Sequence, residues 1–83
     1  MTRDRYFVDA DLRMESIKLI KYDAELDLWM TYNPIVMKWI VPNTFQGNLE
    51  INARYTGDYM PIPVEEVSKY TDALDEKYKD RRQ

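Results

Sequence analysis

Carboxylates pose the first chemical question in this sequence. Asp9 and Asp11 stand two residues apart, and Asp23, Glu25 and Asp27 repeat the spacing. In an extended strand such residues share one face, so each group reads as a row of acids. A row of this kind can hold a divalent cation or supply an acid–base pair. Two features speak against both uses. No Gly falls between Asp9 and Asp27 to give the sharp turn of a calcium loop. A flat sheet face also lacks the concavity in which catalytic carboxylates work. The rest of the chain offers no substitute. It has no His and no Cys, which removes the commonest general base, thiolate chemistry and the usual transition-metal ligands. Its two glycines, Gly47 and Gly57, are too far apart for a phosphate-cradling loop. The expectation is a non-enzymatic domain with no catalytic residue, no metal and no cofactor.

The same acids support a binding role. Asp is disfavoured in strands, so several at alternate positions need a reason. A rigid array of carboxylates complements a basic surface and speeds encounter with it. Trp29 has the same parity as Asp23, Glu25 and Asp27, which places an indole among the acids. Tyr and Trp give large contact area with few rotatable bonds. Tyr59, beside Met60 and the Pro61-x-Pro63 segment, is a second aromatic candidate. The expected partner surface is therefore Asp9, Asp11, Asp23, Glu25, Asp27, Trp29 and Tyr59, docking on a basic or nucleic-acid-handling protein as an inhibitor or modulator. A homodimer sealed through a strand edge or a helix face is the alternative. Single-stranded nucleic-acid binding ranks third, because the aromatics have acidic neighbours and the basic cluster of residues 77–82 already serves a helix end.

Charge and hydropathy agree with this class. Twelve Lys and Arg against fifteen Asp and Glu leave a net charge of −3, with no global pull toward nucleic acid or anionic lipid. Arg3, Asp4, Arg5, Asp9 and Asp11 interrupt any apolar leader, and the longest uncharged run, residues 39–49, is too short to span a bilayer. The expected address is cytoplasmic, with no membrane partner. In composition the chain resembles the small, acidic, tyrosine-rich inhibitors that phages and mobile elements encode.

The elements that must position these residues follow from periodicity. Residues 6–14 alternate, with Val8, Ala10, Leu12 and Met14 apolar; residues 17–22 continue as a shorter strand. Residues 23–32 alternate most clearly, with Ala24, Leu26, Leu28, Met30 and Tyr32 on one face. After the Asn33-Pro34 turn, residues 35–41 read as a strand apolar on both faces, hence central or covered. Leu49, Ile51, Ala53 and Tyr55 predict another half-buried strand over residues 49–56. Pro61 and Pro63 hold an extended segment. Val64, Val67, Thr71, Leu74 and Tyr78 then recur at helical spacing over residues 64–80, acids at the start and bases at the end.

Strands followed by one helix predict a single α+β domain. Its sheet is small and mostly antiparallel, with four or five strands, and the C-terminal helix packs on it. A closed five-stranded barrel with the same helix is the alternative.

Overall fold

The computed structural model of the 83-residue chain describes residues 3–10, 17–43 and 45–81. Five strands form one antiparallel sheet: β1 (Arg5–Ala10), β2 (Ile17–Asp23), β3 (Leu28–Asn33), β4 (Lys38–Ile40) and β5 (Met60–Ile62). Their spatial order is β4-β3-β2-β1-β5, an open sheet rather than a barrel. Two helices cover it, α1 (Gln46–Arg54) and α2 (Val64–Tyr78), and a short 3-10 turn (Lys79–Arg81) follows α2. Asp11 and the expected strand continuation to Met14 lie outside the described residues. No helix among the described residues is long and apolar enough to cross a membrane.

Strand pairing sets the faces. Phe7 opposes Ile20, Ile20 opposes Thr31 and Tyr22 opposes Trp29, so these residues share one face of the sheet. Leu49 and Ala53 of α1 close that face, and with Phe7, Ile20 and Trp29 they form one buried core. Val8 and Leu19, one residue out of phase, share the other face, where Leu74 of α2 seals them with Ile17, Tyr70 and Tyr78 around the rim. Apolar neighbours such as Phe7-Val8 and Leu19-Ile20 thus serve opposite cores, as expected of central strands covered on both sides.

The C-terminal helix packs on the sheet as its apolar spacing predicts. Val67 and Leu74 are buried, and the Tyr32 hydroxyl donates to Asp75 Oδ1 at 2.7 Å to tie helix to sheet. Val64, placed in the same stripe by its spacing, is exposed instead.

Two expectations are corrected. Residues 49–56 are not a strand; residues 49–54 of them belong to α1. Four alternating apolar residues cannot distinguish the two periods. The buried pair is Leu49 and Ala53, one helical turn apart, while Ile51 and Tyr55 are exposed. Glu50 and Arg54 form the matching i,i+4 ion pair at 3.4 Å. Residues 35–41 are not a central strand either. Residues 34–37 form a turn, and β4 is a three-residue edge strand. Asn33-Pro34 begins that turn, as its residue types imply.

Gln46, the first residue of α1, joins helix to sheet. Its carboxamide accepts from the Trp29 N–H at 2.6 Å and donates to the Trp29 carbonyl at 3.0 Å. Trp29 lies two residues along β3 from Thr31, the partner of Ile40, where β4 has ended. The side chain therefore supplies the next rung of the ladder and satisfies two backbone groups that burial would otherwise leave unpaired.

Leu74→Ala is expected to lower stability by about 2–5 kcal/mol, because it removes the side chain that closes the Val8–Leu19 face. A urea titration followed by far-UV circular dichroism measures this. A midpoint equal to that of the unmodified chain would show that α2 is not held by the sheet.

Candidate functional site

The two tight hairpins are built alike, and their difference is informative. Asp23 pairs with Leu28 across a loop of residues 24–27, and Asn33 pairs with Lys38 across residues 34–37. In the first, Asp23 Oδ1 accepts the Leu26 N–H at 3.0 Å. In the second, Asn33 Oδ1 accepts the Ile35 N–H at 2.9 Å and the Val36 N–H at 3.4 Å. Both are Asx turns, in which a short polar side chain takes over the backbone bonds of the loop. Each loop ends on a residue in the left-handed region, Asp27 at φ 53° and Met37 at φ 56°.

This geometry dismantles the acidic strand face. Asp23 ends β2, Glu25 and Asp27 belong to the turn, and Trp29 lies beyond it on β3. A four-residue loop reverses the chain, so Asp23 shares its face with Leu28 and Met30, while Trp29 faces α1. The indole is 6% exposed, against Phe7 and Tyr22, with ring centroids 5.9 and 5.1 Å away. The expectation of an exposed Trp29 is thus overturned by helix α1, which covers its face. Tyr59 is half-buried and packs on the same core, not on a free surface.

Two of these acids, Asp23 and Asp27, are engaged locally. The Tyr22 hydroxyl donates to Asp27, and that bond keeps the phenol protonated above its ordinary range. Burial, with Asp9 and Asp58 nearby, raises Tyr59 in the same sense. Asp23 is held below the usual carboxylate range chiefly by the Leu26 amide, with help from Lys21 at 3.5 Å. Among the described residues no group of three or more His, Cys, Asp or Glu is placed to hold a metal ion.

One open cleft of about 720 Å3 gathers Asp27 and Trp29 with Arg3, Arg5, Glu50 and Arg54. Its charges largely neutralise one another. Arg54 pairs with Glu50 and lies over the Trp29 ring at 5.3 Å. Asp4, also in the wall, accepts the Ala24 N–H at 2.8 Å and faces Lys21 at 3.7 Å. The cleft holds no His or Cys and no other activated nucleophile.

Sequence reasoning missed a different group. Ile35, Val36, Met37, Val41 and Phe45 are half of the ten large apolar side chains left exposed among the described residues, and they fall within eleven consecutive positions. Val36 is 52% exposed and Met37 50%, both at the tip of the second hairpin. The available signal was Asn33 standing just before a loop, as Asp23 stands before the first, with the second loop alone uncharged.

The Asp23 carboxylate contributes stability above its unfolded value, near pH 3.9, and loses it as pH falls through the depressed folded value. Asp23→Asn keeps an oxygen for the Leu26 amide, as Asn33 does for its own loop. Without the charge it lacks the carboxylate's extra stability at every pH, so it is expected to lower the neutral-pH melting temperature slightly and to flatten the fall below about pH 4. An unchanged acid limb would rule out the Asp23 carboxylate as a source of acid sensitivity.

Set against models of known protein families, against curated proteins and against solved structures, the chain gives no match.

Proposed function

We propose that this domain is a non-enzymatic protein-binding module whose contact surface is the β3–β4 hairpin and the outer edge of β4. The observation that carries this reading is Met37. A non-Gly residue in the left-handed region costs roughly 1–2 kcal/mol, and Asn, Asp and Gly bear it best. The first hairpin meets the requirement with Asp27; the second, of the same build, holds Met37 there at φ 56°. It also sets Ile35 and Val36 beside it in water. Strain at Met37, with apolar exposure at Ile35, Val36 and Met37 together, is what a contact surface retains against stability.

The reading replaces an acidic docking face with an apolar one. Lys38 is the single charged residue among residues 33–43, so the surface carries no acid of its own. The rest of the chain keeps the net charge negative, which opposes indiscriminate aggregation through so apolar an edge.

Two outcomes are expected. Met37→Asn stabilises the isolated domain by about 1 kcal/mol, read as a higher urea midpoint, because it relieves the left-handed strain. A lower midpoint would remove the argument from strain. A photo-crosslinking residue at Val36, introduced in the native host, gives a discrete protein adduct, whereas the same residue at Glu25 on the first hairpin does not. Adducts from Glu25 alone, or from neither position, would return the contact surface to some other part of the fold.

A further inference from the structure

We infer that the occupant of the β4 edge is a second copy of this chain, paired antiparallel through β4 about a two-fold axis. The inference rests on the reading of the hairpin as a contact surface and names what covers it.

Backbone direction decides which groups are free to pair. Gln46 occupies the β4 side of Trp29, so Trp29, Thr31 and Asn33 direct their N–H and C=O groups toward β4. Ile40 and Lys38, their opposites, return theirs to β3. Trp39, between them, therefore turns its N–H and C=O outward, on the side where β4 has no further strand among the described residues.

The same alternation, carried through the β2 and β1 registers, directs Met60 and Ile62 toward β1 and turns Pro61 outward. Pro63 follows at the next position of that parity. Neither proline has an N–H to offer, so the β5 edge is blunted while the β4 edge stays open. One open edge and one closed edge permit a pair and stop there. A filament needs both edges open.

The β4 segment is also complementary to itself. In the register centred on Trp39, each Trp39 exchanges two backbone bonds with Trp39 of the second copy. Lys38 then lies opposite Ile40 of that copy, and Met37, at the end of the turn just before the strand, comes nearest Val41, just after the strand, both exposed and apolar. Sliding by two residues one way sets Lys38 against Lys38, a like-charge pair that strand pairing disfavours. Sliding the other way leaves Met37 nearest Asn43. A two-fold interface of this kind is isologous, and it yields one ten-stranded sheet with a blunted β5 at each end.

Sedimentation velocity over a dilution series tests the pairing. The expected result is a concentration-dependent shift between the 10.0 kDa chain and twice that mass. Val41→Lys should raise the dissociation constant by about tenfold or more, because it sets an unpaired ammonium against Met37. Met37→Glu combined with Val41→Lys should restore association, since the register then opposes two pairs of unlike charge across the axis. The positions are exposed, and far-UV circular dichroism confirms that each variant is folded. Failure of the double variant to associate more tightly than Val41→Lys alone would overturn the register. A chain that stays at 10.0 kDa throughout, while the Val36 crosslinker still labels a different protein, would overturn the second copy and leave the hairpin surface standing. Monomer behaviour with no Val36 adduct would remove both.

Discussion

A β-sheet cannot satisfy the outward N–H and C=O groups of its last strands from within, and an 83-residue chain has little spare length to cover them. This fold meets the demand in three ways. At β5 it removes the donors, since Pro61 and the following Pro63 have none. At Trp29, where β4 has ended, the Gln46 carboxamide stands in for a strand residue with bonds of 2.6 and 3.0 Å. At Trp39 no described element does either. The nine residues of α1 and the fifteen of α2 are committed to the two faces, where Leu49 with Ala53 and Leu74 close separate cores. Among the described residues the faces are sealed and one edge is not. The contact surface proposed for this domain follows from that division of a short chain.

The two hairpins isolate a local choice from its surroundings. Loop length, Asx turn and left-handed final residue are common to both, so the backbone imposes the same requirement twice. Asp27 meets it at low cost and also receives the Tyr22 hydroxyl. Met37 meets it with a flexible thioether that packs well against irregular apolar surfaces. Nothing in the geometry of the loop asks for Ile35, Val36 and Met37. A turn that only reversed the chain would be more stable with Asn or Gly at its last position. The residues are explained by what they present outward.

Much of the architecture was legible in the sequence, and the failures have physical causes. Helix α2 was readable because Val67, Leu74 and Tyr78 keep helical spacing over about three turns, with charges arranged to suit the helix dipole. The antiparallel pairing followed from short gaps between alternating segments, which left an open sheet and a closed barrel as the two choices. Helix α1 was not readable: Leu49, Ile51, Ala53 and Tyr55 fit a period of two as well as Leu49 and Ala53 fit one helical turn. Trp29 was misplaced for another reason. The alternation from Asp23 to Tyr32 runs unbroken through a turn, and a turn of four residues exchanges the faces without leaving a mark in the pattern. The site went unread with it, since an uncharged run such as residues 35–41 looks the same whether it is central or projects from an edge.

Display at an edge is useful only if it is held still, and the second hairpin spends its polar groups on that. Asn33 accepts two amides of its own loop, and the Pro34 ring fixes that residue's φ beside it. The strand that follows is only three residues long, yet its Trp39 packs against Tyr32 and Tyr6, with ring centroids 5.4 and 5.7 Å away. These contacts anchor β4 from the inner side and leave its outer backbone unencumbered. A loop frozen before contact loses less conformational entropy on association than a mobile one, so more of the apolar burial is retained as affinity. For the proposed contact surface, these contacts let so few residues be sufficient. They also account for the strain tolerated at Met37, since they hold the loop within the chain itself.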